Sequence, residues 1–210
     1  MRPVWKSVLA AGAAATLLGS ATGPAWPSGD RPDPPGLRAS GKAARAQAAI
    51  AGWPAYPAMA ARAMMEQYGP PDELDALHLA WSRNGPWLRT VVHKTAQFPF
   101  SSQDVLEQTV IHAVPQERWP ALAGFGHGVS YDPASGELSS RSSSEETNFL
   151  ALNLAVDIAR GRMSPEEAGS LYSRSVAESM AGRYSRYMQG LLFVSPSTSP
   201  AMDRRRQRRW

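Results

Sequence analysis

The run Phe149-Leu150-Ala151-Leu152-Asn153-Leu154-Ala155-Val156-Asp157-Ile158 limits this chain more than any other stretch, because a helix built from it is apolar around nearly its whole girth. Such a helix cannot rest on a surface. It has to lie against a sheet and be covered on most of its remaining circumference. Ser143 or Ser144 offers a side-chain cap ahead of Glu146, Gly161 ends the run, and only Asn153, Asp157 and Arg160 form a polar stripe at helical spacing. A second helix is predicted from Ser164-Pro165-Glu166-Glu167, which supplies an N-cap, Pro at the first helical position and Glu at the third. Its apolar face reads Ala168, Tyr172, Val176, Met180, Tyr184, Met188 and Leu191.

Sheet signals fill the region before these helices. Leu77, Leu79 and Trp81 alternate with polar or small residues, and Arg83-Asn84-Gly85-Pro86 then leads into Trp87-Leu88-Arg89-Thr90-Val91-Val92. With Asn84-Gly85 as a two-residue turn, Ser82 faces Trp87, and one face of the hairpin carries Leu77, Leu79, Trp81, Leu88, Thr90 and Val92. The other carries His78, Trp87, Arg89 and His93. Residues Val105 to Val114 read as a third strand and Gln116 to Leu122 as a short helix. A second hairpin joins Val129–Tyr131 to Glu137–Arg141. Upstream, a helix from Pro57 to Tyr68 ends at Gly69-Pro70-Pro71, and the Ala-rich stretch from Ser40 to Ile50 has helical composition. The expected fold is α+β, an antiparallel sheet of four to five strands packed on two C-terminal helices and one N-terminal helix.

The two ends of the chain have a different character. Arg2 and Lys6 precede an apolar segment from Val8 to Leu18, and Gly23-Pro24-Ala25 follows, the order of an export signal cleaved near Ala25. The expected division is a signal over 1–25, a Pro- and Ala-rich, partly disordered linker over 26–56, one domain over 57–194 and a disordered Arg-rich tail over 195–210. That division places the protein in the periplasm or outside the cell. There is no Cys, which excludes disulfides, thiol nucleophiles and thiolate metal sites. Of the 22 Lys and Arg, two lie in the signal and five in the tail, which leaves fifteen against the chain's 18 Asp and Glu. The domain itself is therefore not basic, and nucleic acid is not an expected partner. The tail arginines allow a weak contact with anionic membranes.

No residue pattern specifies a reaction. His78 and His93 lie near each other on one hairpin face, but two ligands do not make a metal site, and strand histidines more commonly face solvent. His112 is in phase with Leu106, Val110 and Val114, as a core histidine would be, and His127 sits between glycines in a loop. The serines from Ser139 to Ser144 lack a Gly-x-Ser-x-Gly elbow and read as caps. Phosphate-cradling and dinucleotide motifs are absent. Asn153 and Asp157 form a polar pair four residues apart, whose ordinary role is a structural hydrogen-bond network. Trp81, Trp87, Phe98, Phe100 and Trp119 cluster around the first hairpin and the loop after it, and such aromatics either fill a small core or anchor a partner.

Four segments, Tyr68-Gly69-Pro70-Pro71-Asp72-Glu73, Asn84-Gly85-Pro86-Trp87, Asp104-Val105-Leu106-Glu107-Gln108 and Asn148-Phe149-Leu150-Ala151-Leu152-Asn153-Leu154-Ala155, resemble an uncharacterised family of exported bacterial proteins. The resemblance spans roughly Met64 to Phe193 and implies no activity or ligand. Members of that family often carry His or Cys where this chain has Ser82, the His-free Gln97–Ser101 loop and Ser142, so chemistry resting on those side chains does not transfer. A looser likeness joins the helix, Gly69-Pro70-Pro71 turn and hairpin to β-lactamase-inhibitor-like domains and small outer-membrane assembly lipoproteins, which implies binding. The expected function is that of a monomeric, exported, non-catalytic binding protein. It contacts an envelope protein or an apolar ligand through Trp81, Trp87, Phe98, Phe100, Arg89 and His93, without cofactor or metal. The alternative is a hydrolase-like enzyme with a pocket that gathers His93, Arg89 and Asp157.

Overall fold

The computed structural model describes residues 35–96 and 101–196. The expected signal, the tail beyond residue 196, Phe98 and Phe100 lie outside the described residues. Helices α1 (Pro35–Ile50) and α2 (Ala55–Tyr68) come first, followed by strands β1 (Glu73–Leu74), β2 (His78–Ser82), β3 (Arg89–His93) and β4 (Leu106–Ile111). Helix α3 (Trp119–Phe125), the hairpin β5 (Val129–Asp132) and β6 (Glu137–Ser142), then α4 (Glu145–Ala159) and α5 (Pro165–Met180) complete the order. These elements belong to one compact unit that begins at Pro34.

The sheet has six antiparallel strands in the order β1-β2-β3-β4-β6-β5, one or two more than the alternation in the sequence indicates. The addition at the edge is β1, whose two residues are too few to show a period. One face of the sheet is covered by two helices side by side. On the β2–β3 half, Ala61 and Met64 of α2 pack against Leu79, Trp81 and Val92. On the β4–β6 half, Phe149, Leu152 and Val156 of α4 pack against Val110 and Leu138. The opposite side of α4, Leu150, Leu154 and Ile158, is closed by Phe125 of α3, Ala168 of α5 and Met188. This enclosure is the one its all-round apolar surface requires, and twelve of its fifteen residues are buried. Ser144 caps it by accepting a bond from the Thr147 amide at 3.3 Å, and Ser164 and Glu167 cap α5 reciprocally.

Three boundaries differ from the expected ones. The folded unit takes in part of the expected linker, because Ala46 and Ile50 of α1 and the following Trp53 are buried and the latter two join the α2 cluster. Helix α5 stops at Met180, where Gly182 takes a φ of 78° that turns the chain. Met180 and Tyr184 are consequently exposed, and Met188 reaches the core from a separate short turn. The first hairpin has a six-residue loop rather than a two-residue turn, since Ser82 pairs with Arg89. That shift is even, so the inward face still holds Leu79, Trp81, Thr90 and Val92. Leu77 falls outside the strand and is exposed, and Trp87 leaves the ladder altogether.

Candidate functional site

Released from the strand, Trp87 turns into the core and stacks on Phe149 with ring centroids 4.8 Å apart. The loop that permits this is shaped by Arg83 and Gly85, both at positive φ, and by the bond from the Trp87 amide to the Asn84 carbonyl at 3.1 Å. A Cβ on Gly85 would stand 2.9 Å from the Tyr68 ring, so glycine lets the end of α2 close over the hairpin loop. Stacking also fixes the direction of the indole N–H. It donates to Oε1 of Glu145 at 2.6 Å.

Glu145 opens α4 and is the centre of a polar cluster in the interior. Its carboxylate also accepts from the Tyr68 hydroxyl, from Gln67 Nε2 at 2.8 Å and from Gln108 Nε2 at 3.2 Å. Four donors fill about the number of lone-pair positions that a carboxylate has. Among the described residues no Lys, Arg or His pairs with it; its counterweights are neutral dipoles and the positive end of α4. A second tier steadies the donors. Asn148 Nδ2 donates to Gln108 Oε1 at 3.0 Å and to the Leu106 carbonyl at 3.1 Å, while its own Oδ1 accepts from Ser142 Oγ at 2.8 Å. Asn84 Nδ2 donates to Thr90 Oγ1 at 2.9 Å. Four separate parts of the chain meet here: Tyr68 from the end of α2, Asn84 and Trp87 from the loop between β2 and β3, Gln108 from β4 and Asn148 from α4.

On the solvent side of this cluster lies a groove of about 210 Å³ between α2 and the start of α4. Tyr56, Met59, Ala60 and Ala63 form an apolar wall, and Ser143, Glu145 and Glu146 form the polar end. Tyr56 and Met59 are 44% and 59% exposed, and Ser143, Ala63 and Glu146 also face solvent. Because the Glu145 oxygens are already occupied by donors, the exposed polar residues that line the groove are Gln67, Ser143 and Glu146. A slot lined this way can accept an elongated apolar group with a cationic or hydrogen-bonding tip.

The residues singled out from the sequence are dispersed. Trp81 and Trp87 are 2% and 0% exposed, placed as core aromatics, and the Trp81 indole donates to the Gly69 carbonyl at 2.9 Å. A buried side chain of this kind offers no surface to a partner. Arg89 stands on the outer sheet face, 3.3 Å from Glu137. His93 lies on that same face with Nε2 3.2 Å from Glu107, and its ring meets His78 edge-on at 4.9 Å. The hydrogen bond from His93 holds the Glu107 carboxyl below its usual range against the opposing effect of burial. Asp157 belongs to another layer, where it accepts from the Tyr187 hydroxyl at 2.7 Å. Burial first, and this bond second, push the Tyr187 hydroxyl up. Asn153, one turn earlier, donates to the Tyr187 and Gly190 carbonyls and accepts from the Leu192 amide. This pair is thus a structural network that ties down the chain after α5.

The other histidines have neighbours of their own. His112 is half-buried and edge-on to Phe193 at 5.1 Å, and burial, with the Arg160 charge second, pushes its imidazole down. His127 stacks on Tyr172 at 4.2 Å; burial lowers the imidazole and raises the Tyr172 hydroxyl to about 12. No group of three or more His, Asp or Glu among the described residues is placed to hold a metal ion.

Glu145, Gln67, Gln108 and Asn148 belong to no motif in the sequence. One signal for them was present: Gln108 lies in phase with Leu106 and Val110, and Asn148 stands beside Phe149 at the start of an otherwise apolar helix, so both amides had to find buried partners. No family model matches the chain, and comparison with curated proteins and with solved structures finds no match either.

Proposed function

We propose that this is an exported, non-catalytic interaction domain whose contact surface is the groove between α2 and α4, and that it receives one long, basic side chain of an envelope protein. The observation that carries this reading is the groove itself. At about 210 Å³ it is smaller than the roughly 300–1,000 Å³ of small-molecule sites, and it suits a single side chain better than a metabolite. Exposed Met and Tyr on a helix face are favoured at protein interfaces, where a polarizable thioether and an amphipathic ring adapt to the partner. Glu146 and Ser143 at the polar end suit a cationic tip. The rival hydrolase reading draws no support from Arg89, His93 and Asp157, because Asp157 is engaged on the helical side of the molecule while the other two lie on the outer sheet face.

A photo-crosslinking residue at Ala63, in cells of the source organism, tests the proposal. One discrete protein adduct is expected from position 63, absent when the crosslinker replaces Arg89 on the outer sheet face, and lost on Glu146→Lys. An adduct from both positions, or one that survives Glu146→Lys unchanged, would sink the reading.

A further inference from the structure

The groove between α2 and the start of α4 has a neighbour. A second hollow, of about 360 Å³, lies at the opening of α2 and is lined by Pro54, Ala55 and Pro57 on one side and by Lys94, Thr95 and Ser102, from the connection between β3 and β4, on the other. Tyr56 lines both hollows and is 44% exposed, so its ring forms the wall they share. The sides of the second hollow are fastened. Arg141 donates from Nη2 to the Thr95 carbonyl at 3.3 Å and from Nε to the Asp104 carbonyl at 3.0 Å, while Trp53, just ahead of Pro54, is buried in the α2 cluster.

The two hollows carry opposite charges. Glu146 lines the first and Lys94 the second, and among the described residues neither has an ion-pair partner, whereas Arg89 and His93 on the outer sheet face are paired with Glu137 and Glu107. A visitor of reversed polarity would complement both ends at once. The spacing is set by α2. Its last residue at the second hollow is Pro57 and its last at the polar end of the first is Gln67, ten residues on, so the charged ends stand about 15 Å apart along the helix.

We propose that the partner crosses both hollows as an extended peptide segment, with its basic side chain at Glu146, a carboxylate at Lys94 and an apolar side chain between them on Tyr56. This rests on the groove being the contact surface and narrows what it accepts. A helix is about 10–12 Å across with its side chains, too wide for a slot of about 210 Å³. In an extended chain every second side chain faces the same way at about 3.3 Å per residue, so residues four apart share a face and stand about 13 Å apart, the even step nearest to the observed spacing. The segment therefore carries a base and an acid four positions apart, with an apolar residue midway. Its carboxylate comes from an Asp or Glu side chain or from the end of the partner's chain.

A synthetic library of random peptides about seven residues long, one set ending in a free carboxyl and one in an amide, tests this against the full-length chain. Bound peptides are expected to pair Lys or Arg with a carboxylate four positions away. Enrichment of Asp or Glu in both sets identifies a side-chain carboxylate, and enrichment in the free-carboxyl set alone identifies a chain end. Lys94→Glu should abolish the preference for the acid and keep that for the base, and Glu146→Lys should do the reverse. In a fluorescence titration of the tightest peptide, Lys94→Gln should weaken binding about fivefold, the upper range for one exposed ion pair, with melting temperature unchanged because Lys94 has no ion-pair partner to lose. Peptides that keep the base but show no acid, or an acid preference that survives Lys94→Glu, would overturn the proposal and leave the groove reading standing. Peptides without a basic preference, or no bound peptide at all, would sink both.

Discussion

Removing the Glu145 side chain would leave the Trp87 indole, the Tyr68 hydroxyl and two Gln amides without their shared acceptor. Each stranded donor in the interior costs about 1–3 kcal/mol, and water entering from the groove side would serve only some of them. Glu145→Ala is therefore expected to destabilise by about 3–5 kcal/mol, and Glu145→Gln, which keeps one acceptor oxygen, by less. Urea melts of the two variants decide it; equal and mild losses would show that the cluster reorganises around a water. Side-chain patterning exposes such a residue poorly, because one Glu in the first turn of a helix looks like an ordinary surface acid attracted to the positive helix end. What buries it is Tyr68, Trp87 and Gln108 arriving from three other elements. Gly128 is hidden for a similar reason: its φ is 73°, and a Cβ would fall 2.1 Å from the Arg141 carbonyl oxygen of the neighbouring strand, a contact known only once β5 and β6 are paired.

Elements are more legible than residues, because each rests on a period repeated over many positions. Helix α4 could be placed within a residue or two since its caps and its apolar run agree, and the inward face of β2 and β3 survived an error of two in the hairpin register. Met180, Tyr184 and Met188 keep a helical spacing beyond Gly182, where the backbone has already turned, so spacing alone overstates the length of α5. Ile50 and Trp53 are illegible for a different reason: they are buried by α2 and the sheet, and nothing local marks them as core. The role of α4 as the centre of the molecule makes a sharp prediction. Leu152 is fully buried between sheet and helix, so Leu152→Ala should cost about 2–5 kcal/mol, while Arg160→Ala at the exposed end should stay within about 0.5 kcal/mol. Comparable denaturant midpoints for the two would remove α4 from the core.

At the scale of the whole molecule, the pH dependence of stability is set by titratable groups on separate parts of the fold, His112, His127 and Glu107. His112 has its imidazole pushed below the ordinary 6.5, chiefly by burial. The folded protein thus binds that proton less readily than the unfolded chain does, and stability is lost as pH falls below about 6.5 toward the folded value. His127, lowered by the same cause, acts in the same window. Glu107 acts later. Its carboxyl is held below the ordinary 4.5 by the hydrogen bond from His93, so its contribution is complete above that value and disappears as pH falls through the lower folded value. Thermal melts between pH 8 and pH 3 should therefore decline in two stages. His112→Gln should flatten the first stage without removing it, because His127 remains. Glu107→Gln should flatten the second and leave the first untouched, since the outer sheet face of β4 and the His112 contact with Phe193 are separate. A His112→Gln profile parallel to the parent throughout would mean that the ring is hydrated in the folded protein, and the packing of Phe193 over the end of β4 would have to be revised.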